Sequence, residues 1–272
     1  MHMRYVANAR MYSVNPQAAA AWRELFGWLA RESGVDLEIL DHAFPSPLSD
    51  LWSRSDLGCA FMCGFPFMLA THRPRPVVAP IPAKAPIAGR PVYATCLVVR
   101  SDSDFHSIED TFGGRLGYTV ADSHSGYNAL RHHLLPYYRR RGAKLYRESV
   151  GPLTTPRRVI EALLGGDIDI GPLDGYALDL MRHHQVEFQS QIRIVATTDP
   201  APIPFLVASS GCPNEIVSRL QATLLTFASS SACADLRERL RLSAFAPVAL
   251  EDYSLMLRWD AEARAAGYAQ PV

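Results

Sequence analysis

Ser123, His124 and Ser125 stand directly ahead of Gly126 and a run with helical spacing. Hydroxyls and an imidazole can donate hydrogen bonds. The first N–H groups of a helix lack partners inside it, so a polar turn at a helix start suits an anion or a polar group. The full stretch, Ala121–Tyr138, reads ADSHSGYNALRHHLLPYY and follows an expected strand over Leu116–Val120. Leu130, Leu134 and Leu135 recur at helical spacing. Arg139, Arg140 and Arg141 suit the negative end of the helix dipole, and Gly142 suits the C′ position. A plainer reading stands beside this one, in which Ser123 or Ser125 only caps the helix.

Other chemically suggestive groups weigh less. His132–His133 and His183–His184 look like metal tracts, but adjacent helical residues point in different directions, so both pairs read as solvated helix faces. Asp167 and Asp169 flank a strand start and read as turn formers rather than a catalytic pair. Arg139–Arg141 and Arg157–Arg158 read as solvated charges, although Arg157, one turn into a helix, could meet an anion. The five cysteines are Cys59, Cys63, Cys96, Cys212 and Cys233. An odd, sparse set gives no disulfide framework and no zinc-ligand spacing, so they read as small buried hydrophobes. H-E-x-x-H, G-x-S-x-G and P-loop motifs are all absent from the sequence.

The elements that must position the turn occupy a chain of 272 residues, enough for one large domain or two modest ones. Lys and Arg total 27 and so do Asp and Glu, so there is no basic excess to favour nucleic acid or anionic membrane. No apolar run reaches transmembrane length, and the start MHMRYVANARMYSVNP lacks the apolar core of a signal peptide. The expected location is periplasmic if a leader has been removed and cytoplasmic if this is the native start.

Strands are expected at Arg4–Arg10, Leu37–Leu40, Leu57–Met62 and Val77–Ile81. Asn15 and Pro16 open a helix striped by Trp22, Leu25, Phe26 and Leu29 and ended by Gly34. Short helical pieces are expected over Pro45–Ser53 and, after Gly64, Phe65–Ala70. Beyond the proline-rich Pro74–Pro91, Val92–Arg100 reads as a strand and Asp104–Asp110 as a short helix. Strands are then expected at Lys144–Ser149, Ile168–Gly171, Gln191–Thr197 and Phe205–Ala208. Helices fall at Thr154–Leu164, from Asp174 to about Arg182, and at Pro213–Ser230, Cys233–Leu240 and Leu250–Ala266. The alternation predicts parallel βαβ units in two α/β lobes. The first lobe is expected over residues 1–100 and 204–272 and the second over 101–203, with hinges near Arg100 and Ala201.

Four passages carry a family resemblance. They are Tyr93–Arg100 followed by SDSDFHSIEDTFGGRLGY; DSHSGYNALRHHL; GPLTTPRRVIEALLGGDIDIGPLDGYAL; and IRIVATTDPAPIPFLVAS. In this order, from roughly Tyr5 to Leu257, the chain resembles the phosphonate, phosphite and phosphate receptors of ABC importers. The resemblance implies an α/β, two-lobed type II periplasmic-binding-protein-like fold with its ligand in a cleft between lobes, in keeping with the rule that open α/β sheets bind beyond their strand ends. It implies an anion-receiving turn at Ser123, His124, Ser125 and Gly126, and an aromatic at Tyr93 on the crossing strand. It further implies first-lobe contacts at Tyr12 and at the turn Met62, Cys63 and Gly64, and an acidic position at Asp174 that can face an ammonium group. One departure stands out. Where phosphonate receptors usually carry a histidine at a helix start, this chain has Thr154, Thr155 and Pro156.

The expected function is therefore a solute-binding protein closing on a small polar or anionic ligand, phosphonate-like by preference. Carboxylate, sulfonate and nitrogen-heterocycle ligands stay open. The implied partners are the ligand and an importer permease; no metal or cofactor is expected, and the receptor is expected to work as a monomer. Tyr12 and Tyr93 have an equally simple reading as core, and Asp174 as a helix cap. Two other functions remain. Some menaquinone- and pyrimidine-pathway enzymes share the fold, with His124 and Asp122 or Asp174 then serving as an acid–base pair. The other is a cytosolic small-molecule sensor.

Overall fold

Asn15 opens the first long helix as its sequence position predicts: its side-chain oxygen accepts from Ala18 N at 2.8 Å. The computed structural model describes residues 4–83, 89–185 and 190–272. The Met-His-Met opening and the middle of the Pro74–Pro91 stretch fall outside them. In chain order the first unit begins with β1 (Tyr5–Asn8), α1 (Pro16–Ser33), β2 (Leu37–Ile39), α2 (Leu48–Trp52), β3 (Leu57–Met62), α3 (Gly64–Leu69), β4 (Arg75–Pro76) and β5 (Ala79–Pro82). The short strand β6 (Val92–Tyr93) leads into the second unit. That unit holds β7 (Thr95–Arg100), β8 (Arg115–Gly117), α4 (Ala129–Arg141), β9 (Glu148–Val150), α5 (Pro156–Leu164), β10 (Gly171–Asp174), α6 (Gly175–His184) and β11 (Ile192–Thr197). Through β12 (Ala201–Pro202) the chain re-enters the first unit, adding β13 (Phe205–Ala208), α7 (Asn214–Leu225), α8 (Ala234–Arg239) and β14 (Leu242–Ala246). It ends with α9 (Ser254–Ala265) in the second.

The first unit is built on a sheet of order β2-β1-β3-β13-β4, in which β1 runs parallel to β2 and β3 while β13 runs antiparallel to β3 and β4. The alternating βα pattern at the start of the chain produces the parallel part. Trp22, Leu25, Phe26 and Leu29 are all buried, so the predicted stripe of α1 is its core face. Trp22 and Tyr12 both meet the Phe61 ring edge-on, each at 4.9 Å between centroids. Gly34 closes α1 at φ +62°, a left-handed conformation that glycine adopts without a Cβ penalty.

The second unit departs from the parallel expectation. Its sheet β10-β7-β11 is antiparallel throughout, while β8 and β9 run parallel and Leu116 makes a parallel bridge to Ile170. The segment leading back to residue 201 must run opposite to the one leaving residue 93. Its core includes Leu97, Val99, Leu116, Leu130, Leu134, Leu135 and Tyr146, together with Ala263 and Tyr268 from the end of the chain.

The boundaries found, 92/93, 201/202 and 250/251, differ from those expected at 100 and 204. The last helix joins the second unit because Met256, Trp259 and Ala263 are buried and their helix packs on α4. The helix expected at Asp104–Asp110 is only a single tight turn at Glu109–Thr111. There Asp110 accepts from the backbone of His106 and Ser107, which spends the local donors on a side chain instead of a helix. The strand β14 was not anticipated, and it pairs antiparallel with β5.

Candidate functional site

Ser123 caps the helix start, its hydroxyl accepting from Gly126 N at 3.0 Å. Capping is therefore realised, but the turn is wider than an ordinary helix start. Asn128 N–H reaches back five residues to Ser123 O at 3.0 Å, and His124–Asn128 form one π turn that runs on into α4. Such turns are uncommon and cluster at functional sites. The N–H groups of His124 and Ser125 precede the first helical bond. Ser125 O accepts from Thr95 Oγ1 at 3.1 Å, which pins the turn to β7.

A second helix start lies beside the first. Thr155 caps α5 by accepting from Arg158 N, with Pro156 at the first helical position. The two starts share one strand extension. Thr119 N donates to Gly126 O and Thr154 N donates to Thr119 O, each at 3.2 Å, while Leu153 N donates to Tyr118 O at 3.0 Å. Tyr118–Thr119 thus bonds to both loops, and two hydroxyl-capped helix starts are held side by side. Thr154 occupies the left-handed region at φ +62°. A β-branched residue there is strained, and such strain concentrates at functional sites.

Gly126 is required by space. A Cβ on it would lie 1.8 Å from Thr119 Oγ1. That hydroxyl is buried and has no hydrogen-bond partner among the described residues. Thr119 was not singled out from the sequence. Its only signal was its place at the end of the expected strand Leu116–Val120.

His124 is 1 % exposed and lies stacked on Trp259, with ring centroids 5.4 Å apart and planes 22° apart. Tyr93, also buried, brings its ring to 6.2 Å on a tilt. Burial, with a smaller contribution from the nearby His132, lowers the His124 pKa to about 3, so the imidazole is neutral at ordinary pH. Asp174 takes the cap that the simpler reading gave it: Oδ1 accepts from Tyr176 N and Ala177 N at 2.9 and 3.0 Å.

In the first unit, Tyr12 is 1 % exposed and forms part of the aromatic core. Met62 ends β3, Cys63 precedes α3 and Gly64 opens it, all three buried. The expected sites thus divide between units, with Tyr93, Ser123–Gly126, Thr154, Thr155 and Asp174 in the second.

The remaining candidates resolve differently. His132 is no free surface group: it too stacks on Trp259, at 4.4 Å, and meets Glu262 at 3.2 Å. Arg157 is 75 % exposed and paired with Glu161 one turn on. Asp169 accepts from Arg115 N at 2.7 Å, as a turn former does. None of the five cysteines is in a disulfide, and among the described residues no cluster of His, Cys, Asp and Glu could hold a metal. No helix among them is long and apolar enough to cross a membrane. A surface pocket of about 370 Å³ lined by Glu109, Phe112, Tyr137, Arg140, Arg141 and Leu145 contains none of the predicted residues.

Two α/β units, with hydroxyl-capped helix starts set side by side in one of them, define a type II periplasmic-binding-protein fold. The chain belongs to the family described as "ABC transporter, phosphonate, periplasmic substrate-binding protein", whose model matches residues 12–253. That is a family of transport receptors and not of enzymes. No curated protein sequence matches the chain. Among solved structures it is similar to a binding-protein component of an ABC phosphonate transporter from Pseudomonas aeruginosa, at TM-score 0.80 and 14% identity, covering 97% of this chain and 88% of that one. It is similar to a Prochlorococcus marinus protein in complex with methylphosphonate, at TM-score 0.76 and 12% identity over 97% and 99% of the two chains. A Xanthomonas citri protein bound to ATP aligns at TM-score 0.64 and 21% identity over 97% and 98%. At these identities the likeness speaks for the fold.

Proposed function

We propose that this receptor binds a small oxyanion of the phosphonate class through the paired helix starts of its second unit. The observation that carries the reading is the bonding of Tyr118–Thr119 to both loops, which sets the Ser123–Gly126 turn and the Thr154–Thr155 turn beside each other. An oxyanion carries several acceptor oxygens, and helix-start N–H groups and hydroxyls are matched donors. The Thr155 hydroxyl, whose oxygen accepts from Arg158 N, supplies a donor where a histidine is usual, while the N–H groups of Thr154 and Thr155 and the Thr154 hydroxyl are engaged by Thr119 O and Leu153 O, and His124 supplies an imidazole from the neighbouring turn. Tyr12, Met62, Cys63, Gly64 and Tyr93 complete the ligand contacts, and Asp174 faces a cationic part of the ligand if it has one. The protein acts in the periplasm as a monomer that delivers its ligand to an importer permease.

The test is a thermal-shift and calorimetric screen with phosphate, phosphite, methyl- and aminoalkyl-phosphonates, sulfonates, small carboxylates and ATP. A ligand at about a hundred times its dissociation constant adds about 2.7 kcal/mol of stability. A phosphonate hit abolished by Ser123→Ala with Ser125→Ala supports the reading. A hit that survives that double substitution places the ligand elsewhere.

A further inference from the structure

Behind His124 lies a chain of polar groups, Asn128, Arg131 and Asp260, in which the guanidinium fixes the direction of the hydrogen bonds. Arg131 is 1 % exposed, and its Nη2 donates to Asp260 Oδ1 and, at 3.2 Å, to Asn128 Oδ1. Its Nη1 donates to Ala269 O at 3.0 Å. A guanidinium only donates, so the atom of Asn128 that faces it must be the amide oxygen. The amide nitrogen of Asn128 then faces Met256 O at 2.9 Å and His124 Nδ1 at 3.3 Å. A carbonyl only accepts, which confirms the orientation. Both N–H bonds of that nitrogen are thereby spent as donors, one on Met256 and one on the imidazole. His124 Nδ1 must therefore accept.

A neutral imidazole that accepts at Nδ1 carries its proton on Nε2. We propose that Asp260, Arg131 and Asn128 lock His124 as the Nε2–H tautomer, so that the turn presents its ligand with a fixed neutral donor suited to an acceptor-only oxyanion. Asn128 is a positioning residue in this scheme. The inference rests on the reading that the Ser123–Gly126 turn faces the ligand.

The surroundings keep the lock indifferent to pH. Trp259 faces His124 from α9, and the Tyr93 ring faces it from β6, while Met256 O is engaged by Asn128. His132 on α4 is the nearby base, and its charge would oppose a charge on His124. Asp174 ends β10, the strand packed on the turn, and its carboxylate is engaged by two N–H groups of α6. Arg131 and Asp260 lie one and two steps away and neutralise each other.

Nitrogen-15 NMR of the histidines in the ligand-free protein reads the tautomer directly. The expected result is Nε2–H for His124, unchanged from pH 6 to 8. Asn128→Asp, nearly isosteric, puts an acceptor where a donor stood and should switch the ring to Nδ1–H. Affinity for methylphosphonate should then fall about tenfold to a hundredfold at pH 8, the range for losing a hydrogen bond to a charged group. The ratio of variant to wild-type dissociation constants should shrink as pH drops, because the imidazolium restores the Nε2 proton. Nδ1–H in the wild type, or no switch in the variant, overturns the lock. A switched tautomer with unaltered affinity overturns the donor role. If no oxyanion binds the wild type, the proposed function falls while the spectrum still decides the lock. The wild-type spectrum also decides it if Asn128→Asp does not fold.

Discussion

Acidifying the protein should destabilise it through His124, and the size of the effect follows from burial. In the unfolded chain a histidine titrates near 6.5. In the folded protein burial lowers His124 to about 3. Between these values the unfolded state binds a proton that the folded state refuses, so stability rises with pH across the window. The contribution is fully present above about pH 7 and is lost as pH falls, at about 1.4 kcal/mol per unit below 6.5. At pH 5 the loss is about 2 kcal/mol. His124 is fully buried, so solvent screening does not reduce it. Asp110 is held below the usual carboxylate range by backbone N–H groups, and Asp260 by Arg264 and Arg131 against its burial. His133 is lowered by burial and adds in the same sense, but it is present in every sample. The assay is urea unfolding by circular dichroism at pH 5, 6, 7 and 8 for wild type and His124→Gln. The wild type should lose about 2 kcal/mol more than the variant between pH 7 and 5. Parallel pH profiles would refute the reasoning.

Gly126→Ala should destabilise the protein by about 1–3 kcal/mol, because its Cβ would collide with Thr119, and should abolish ligand-induced thermal shifts. Arg131→Met should cost about 3 kcal/mol in urea, the low end for breaking a buried ion pair, because Asp260 keeps Arg264 at 2.7 Å. Adding Asp260→Leu should recover most of that loss, and a further loss instead would show that the pair is not coupled. Asn15→Ala should cost about 1 kcal/mol through the lost cap of α1 and leave methylphosphonate affinity unchanged by calorimetry.

The parts of this protein legible in its sequence are those governed by local rules. Asn15-Pro16 and Gly34 bracket α1, while β3 and β13 coincide with apolar runs bounded by glycine, cysteine and proline. Asp174 announces α6 as a cap. What stayed hidden depends on residues far apart in the chain. Arg131 adjoins His132–His133, which read as a solvated face, yet it is among the largest fully buried side chains and pairs with Asp260, 129 positions away. His132 leaves the surface for the same reason, since the indole that covers it comes from α9. The short segment Leu242–Ala246, with two alanines and no β-branched residue, gave no strand signal until β5 supplied its partner. The widened turn at His124–Asn128 has no sequence signature of its own; it is read only once Asn128 N–H is seen to bond to Ser123.

The carbonyls of the last few residues act as a seam. Ala269 O takes hydrogen bonds from both the Tyr127 hydroxyl and Arg131, and Pro271 O takes one from Ser149 at 2.6 Å. Tyr127 belongs to the π turn itself, so the tail behind it is stitched to the same wall that carries the candidate site. An affinity tag, fluorescent protein or immobilising peptide fused directly after Val272 would tug on that seam. A biosensor made from this receptor would respond differently according to where its reporter is joined. A dye on the exposed Leu225 of α7 reports from the first unit and leaves the stitching undisturbed.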